Sequence, residues 1–173
     1  MTPERPAPRN RRAQARFDQG IGTYSLIADR LIAGGLPGGD GDGQGTSWAE
    51  LDALDVSVLF SLLPTHFIDP PSGLKQELHP LMDAVDERSG ADLRYLERTV
   101  RKLTALRAAG ETVYVHCMAG VSRTGLVLCA WRMQAAREPP EQALAWLRER
   151  RRCLEPNRGF MALLARWGDF LGV

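Results

Sequence analysis

The stretch VHCMAGVSRTGL, Val115–Leu126, decides the fold. It reads as an apolar strand that stops at His116-Cys117, turns through a short loop and reaches Arg123 at the head of a helix-forming run. A strand-loop-helix transition leaves the loop amides and the helix N-terminus free to attract an anion. Gly120 permits a backbone turn that a Cβ would obstruct. Arg123 offers a planar fork that matches two oxygens of a phosphate. Cys117, beneath those amides, is expected to have a depressed pKa and to be present as a nucleophilic thiolate. The groups that would bind a dianion thus also ionise the sulfur. A bare Cys-x5-Arg pair would more often be a structural cysteine at a strand end. The full order of His, Cys, Gly, Arg and Thr is far more specific.

The fold can be read outward from that strand. TVYVH (112–116) is a short central strand, and 124–136 continues as a helix. Upstream, Leu93, Leu96, Val100, Leu103 and Leu106 fall on one helical face, with an end near Gly110. VSVLFSLL (56–63) reads as a buried strand bounded by Pro64, and QELHPLM (76–82) as another. TYSLIADRLIAGGL (23–36) gives two strands around a turn at Ala28-Asp29-Arg30. SWAELDAL (47–54) opens with a capping-box pattern, Ser47 and Glu50. PPEQALAWLRERR and NRGFMALLARWGDFL supply two further helices. Strands alternating with helices indicate an α/β layer fold, with a mostly parallel sheet covered by helices on both faces.

Composition narrows the class. The chain has 173 residues, 44% of them hydrophobic and 25% charged, with a net charge of +1. That is ordinary for one globular domain. No apolar run approaches the ~20 residues that cross a bilayer. Residues 1–20 hold no apolar segment of the secretory type, and three irregularly spaced cysteines make neither a disulfide framework nor a zinc site. A cytoplasmic setting is expected. The first residues concentrate Arg5, Arg9, Arg11, Arg12 and Arg16 among prolines, which reads as a disordered basic arm over 1–20 ahead of a domain at 21–173. PGGDGDGQGT (37–46) lacks the Lys-Ser/Thr ending of a nucleotide-binding loop. No nucleic-acid partner is expected.

HCMAGVSRTG (116–125) resembles the signature loop of the protein tyrosine phosphatase superfamily, most closely of its dual-specificity phosphatases. EPNRGFMALLARW (155–167) is similar to the same family's later Pro-Asn-x-Gly-Phe segment. The resemblance covers roughly residues 22–171, strongly near Cys117 and loosely elsewhere. Low-molecular-weight phosphatases and arsenate reductases share Cys-x5-Arg but place it near the N-terminus. The resemblance implies a central sheet flanked by helices and a reaction without metal or cofactor. It implies that Cys117 forms a phosphocysteine and that Arg123 clamps the equatorial oxygens. Met118, Ala119, Gly120, Val121 and Ser122 complete the phosphate-binding loop. His116 would orient the loop, Thr124 would assist release of the thiolate, and Asn157 would brace the loop. The bland alternatives are a packed histidine, a polar helix start and an N-cap.

Phosphate ester cleavage needs a proton for the leaving oxygen. The family takes it from an aspartate about 30 residues before the cysteine, and HPLMDAVDERSG (79–90) offers two. Asp83 follows Pro80 by three, as in the family's strand end, whereas the gap-free count from the next helix favours Asp86. Asp83 is preferred, with Asp86 the alternative; Glu87 and Asp92 read as helix-start acids. No lysine lies inside the cradle, which favours a phosphoprotein substrate, with phosphotyrosine and phosphoserine/threonine both allowed. A phosphoinositide substrate or a phosphate-reading scaffold is the alternative. Cys129 or Cys153 is a candidate partner for an oxidised Cys117.

Overall fold

A computed structural model describes residues 24–38, 46–64 and 68–173. The basic arm, most of the glycine-rich segment and part of the loop after Pro64 lie outside the described residues. Five strands form one sheet: β1 (Tyr24–Ala28), β2 (Leu31–Gly34), β3 (Val58–Ser61), β4 (Lys75–Leu78) and β5 (Val113–His116). Among the described residues five α-helices accompany them: α1 (Trp48–Ala53), α2 (Leu93–Ala108), α3 (Ser122–Ala136), α4 (Pro140–Arg148) and α5 (Arg158–Leu171). The strand order is β1-β2-β5-β3-β4, and only β1 and β2 run antiparallel.

The period of two along each strand sorts the core into two layers. Leu31, Ala33, Val58, Phe60, Val113 and Val115 face the main core, which α2, α3, α4 and α5 close. Ile32, Leu59 and Tyr114 face the other side and pack with Leu51 of α1. Helices thus cover both faces, four against one among the described residues. The central helix is α3, in which Leu126 to Ala130 are all fully buried, so it shows no polar face there. Trp167 of α5 packs against it and donates its indole N–H to the Ala130 carbonyl at 3.1 Å.

Local signals hold up well. The Ser47–Glu50 capping box opens α1, and Pro140 is the first residue of α4. The expected strand 76–82 is shorter, since β4 ends at Leu78. Pro80 has no N–H to donate, yet His79 N–H still reaches the Ser61 carbonyl at 2.8 Å and Leu81 N–H the Leu62 carbonyl at 3.2 Å. The chain therefore stays extended beside β3 as it enters the segment carrying Asp83.

The register sets the position of the site. His116 pairs with Gly34 on one side and Ser61 on the other, so the Cys117 loop leaves the C-terminal end of the central strand. That end is where open α/β sheets place their ligands. Trp167 ties α5 to α3 from full burial, so Trp167→Ala should cost about 3–5 kcal/mol. Urea denaturation followed by circular dichroism should show a lower midpoint at unchanged native helicity; an unshifted midpoint would contradict this packing.

Candidate active site

Residues 117–123 close into a cradle because its carbonyls are engaged from outside. The Cys117 carbonyl accepts from His116 Nδ1 at 3.2 Å, and the Met118 carbonyl accepts from Leu36 N–H at 2.9 Å. Arg151 Nε donates to the Gly120 carbonyl at 3.0 Å. The Val121 carbonyl accepts from the N–H groups of Gly125 and Glu155, each at 3.2 Å. In a trans peptide the N–H points opposite to the C=O, so amides turn inward where carbonyls turn outward. Gly120 makes the turn with φ +66°, and a Cβ there would lie 2.3 Å from the Gly34 carbonyl oxygen. No other residue fits.

Cys117 lies at the floor, 3% exposed. Burial pushes its thiol pKa up, but the Arg123 charge, the Thr124 hydroxyl and the N–H groups of Thr124 and Val121 outweigh it and hold the pKa below the ordinary thiol value. Thr124 Oγ1 donates to Sγ at 3.1 Å. Cys129 shows the opposite balance, with burial pushing its thiol up to about 12. Two cysteines on one helix-loop unit therefore differ in reactivity by environment alone. All three cysteines are free thiols, and Cys153 packs with Ala119 and Val121 at the back of the loop.

Arg123 Nη1 donates to the Leu81 carbonyl at 3.3 Å, while its buried Nε has no partner among the described residues. A guanidinium so placed retains donor capacity for an oxyanion. His116 is fully buried and stacks on Tyr114 with ring centroids 5.9 Å apart. Burial lowers its pKa to about 4, against a rise from the Cys117 backbone contact and with a further lowering by Arg123. The ring is neutral at physiological pH, and Nδ1 carries the proton that the Cys117 carbonyl accepts.

The two candidate acids differ sharply. Asp83 Oδ1 accepts from Ser122 Oγ at 2.8 Å and from Asn157 Nδ2 at 2.9 Å. Its carboxyl is therefore fastened to the last turn of the cradle. Asp86 instead caps the short turn Glu87–Ser89 and forms a bidentate pair with Arg88, at 2.9 and 2.8 Å. The Arg88 hydrogen bonds hold its carboxyl below the usual range despite an opposing desolvation. Asp92 caps α2 through Tyr95 N–H. Asn157 caps α5, its Oδ1 accepting from Phe160 N–H at 3.0 Å, and its Nδ2 also donates to the Ala84 carbonyl at 3.1 Å. Gly159 lets α5 approach that loop, since a Cβ there would lie 2.2 Å from the Val85 carbonyl oxygen.

The sequence reading placed Ser122 in the phosphate-binding loop without its link to Asp83, and it missed Arg151. Ser122 links three parts, donating to Asp83 while accepting from Asn157 N–H at 3.2 Å. Its position between the loop and the helix start was the available signal. Arg151 sits between exposed Arg150 and Arg152, and nothing local distinguishes it from them.

The family profile described as dual specificity phosphatase, catalytic domain, matches residues 46–170, and the chain belongs to that family. Protein phosphatase Slingshot of Drosophila melanogaster is 37% identical over 86 residues, which is 50% of this chain and 8% of the fly protein. Human dual specificity protein phosphatase 1 is 27% identical over 121 residues, 68% of this chain and 31% of that protein. The chain thus spans a minor part of these relatives' length. Among solved structures, mouse putative dual specificity phosphatase complexed with zinc tungstate gives a TM-score of 0.72 at 22% identity, covering 87% of this chain and 89% of that one. PTPMT1 in complex with PI(5)P gives 0.70 at 20%, covering 87% and 97%. These structural likenesses concern the fold. Among the described residues no helix is long and apolar enough to cross a membrane.

Neutral burial of His116 makes folding oppose its protonation. Its folded pKa lies below the unfolded value, so its contribution is full above pH ~6.5 and is lost as pH falls toward about 4. The loss should be on the order of 3 kcal/mol, with a share from His79, which burial also lowers. Chemical denaturation between pH 7 and 4 should show this slope, and His116→Asn should flatten it. A slope equal to wild type in that variant would contradict a buried neutral ring.

Proposed function

We propose that the chain is a cysteine-dependent phosphatase acting on phosphorylated protein side chains. The observation that carries this reading is a depressed thiol at the floor of an amide-lined loop, with Arg123 beside it and Asp83 fastened to the loop's exit. The Cys117 thiolate attacks phosphorus, an S–P bond forms and the P–O bond to the leaving group breaks. Asp83 gives its proton to the departing oxygen. Water then attacks phosphorus, its proton passes to the Asp83 carboxylate, and the S–P bond breaks to release phosphate and the thiolate. Arg123 and the inward amides meet the charge on the equatorial oxygens. Thr124 stabilises the sulfur as it leaves through its hydroxyl donor. Asp83 suits the acid role better than Asp86, because Asp83 is hydrogen-bonded to Ser122 of the cradle whereas Asp86 is paired with Arg88.

Met118, Ala119, Val121 and Ser122 bring no charge to the loop, which favours one phosphate on a protein side chain over an inositol ring carrying several. The tungstate that accompanies the similar mouse structure is a tetrahedral oxyanion, which fits such a cradle. Free thiols agree with a reducing, cytoplasmic compartment. The domain is taken to run over 21–173 behind a basic arm at 1–20.

Hydrolysis of an aryl phosphate tests the chemistry. Activity without added metal should follow a bell-shaped pH profile, rising with thiolate and substrate ionisation and falling as the acid deprotonates. Cys117→Ser should abolish turnover and still bind vanadate. Asp83→Asn should lower the maximum by roughly 10²–10⁴-fold and flatten the alkaline limb, with Asp86→Asn near wild type. Retained turnover in Cys117→Ser would end this reading; a larger loss in Asp86→Asn would transfer the acid role. Comparing kcat/KM for phosphotyrosine peptide, phosphothreonine peptide and soluble phosphoinositide tests the substrate class. A lipid preference would overturn the protein assignment.

A further inference from the structure

One side chain behind the cradle has no part in the reaction just described. Arg151 follows α4, is fully buried, and is fixed through its backbone to Leu147 and Leu154. Its Nε donates to the Gly120 carbonyl at 3.0 Å and its Nη1 to Ser25 Oγ at 3.1 Å. Its Nη2 has no hydrogen-bond partner among the described residues. No carboxylate pairs with it among the described residues. A buried guanidinium without a counter-ion is costly, and a core built for packing alone would favour an apolar residue of similar volume. The feature that sets this position apart is the peptide it holds.

That peptide joins Gly120 to Val121. It is trans, as all the described peptide bonds are, so its C=O and its N–H point in opposite directions. Arg151 draws the carbonyl outward on one side, which turns the Val121 N–H toward Cys117, to which it donates. The left-handed Gly120 has no side chain to lock this peptide, and the Gly34 carbonyl presses close to its Cα. Without an external donor the plane is free to rotate, and rotation would turn a carbonyl dipole toward a thiolate and an incoming dianion. We propose that Arg151 is a positioning residue: by fixing the Gly120–Val121 peptide from outside, it keeps the Val121 N–H on the Cys117 sulfur and on the phosphate oxygens.

The inference rests on the phosphatase reading for its consequence in catalysis, but the thiolate can be measured without turnover. Iodoacetate alkylation of Cys117 in the full chain, followed by peptide mass spectrometry across pH, reports the thiolate fraction at that one cysteine. At pH 6 the rate should fall about tenfold in Arg151→Met and about threefold in Arg151→Lys, which keeps a donor and a charge. At alkaline pH the variants should converge on the wild-type rate. The acid limb of kcat/KM should move to higher pH with the alkaline limb unmoved, and orthophosphate should inhibit more weakly. A purely structural defect would instead depress all rates at every pH. Should Arg151→Met fail to fold, Arg151→Lys and Ser25→Ala, which loosens the guanidinium, carry the test. Alkylation profiles in the folded variants identical to wild type would overturn the inference. If wild-type Cys117 itself titrates as an ordinary thiol, the phosphatase reading fails first, so the two failures are distinct.

Discussion

The structure depends on donors converging on one sulfur at the buried end of a strand, where they stabilise its anionic form against the cost of burial. Burial alone works against this, as the raised thiol of Cys129 shows. At Cys117 the balance reverses because one arginine, one hydroxyl and two amides converge on the sulfur. None of them is strong enough singly. They act together because the carbonyls of the loop are occupied elsewhere, by Leu36, His116, Gly125, Glu155 and Arg151. The scaffold around the loop can be understood as a set of donors that keep those carbonyls turned away.

This constraint explains why distant segments meet at one place. The turn after β2 supplies Leu36 N–H, the chain after α4 supplies Arg151 and Glu155 N–H, and Asn157 caps α5. Ser122 and Asn157 join the loop to Asp83, so the candidate nucleophile and the candidate acid share one hydrogen-bonded unit. Gly159 is the steric condition for that unit, since α5 reaches the backbone at Val85 only where no Cβ intervenes. The position of the acid thus follows from helix packing as much as from the loop that carries it.

Much of this was legible in the sequence because the signals are local. Strand and helix periods, the Ser47–Glu50 cap and the Cys117–Arg123 loop all lie within short windows. Asn157 was read as a brace for the loop or as a cap, but its partners Asp83 and Ala84 were not legible, because they lie more than seventy residues away. The proposed preference for Asp83 over Asp86 rests on a partner 39 residues away, Ser122, for the one and on the near neighbour Arg88 for the other. Arg151 was invisible for a similar reason. It is one of three consecutive arginines, and burial, not spacing, separates it from its neighbours. Long-range hydrogen bonds leave no periodic trace.

The most direct test of a thiolate nucleophile is to catch the phosphoryl group on it. Acid quenching during turnover of an aryl phosphate, followed by peptide mass spectrometry, should find one phosphoryl group on the peptide containing Cys117, and more of it in Asp83→Asn if slow hydrolysis of the thioester-like S–P bond becomes limiting. Phosphoryl transfer detected on another residue, or turnover with the Cys117 peptide never modified, would contradict the account.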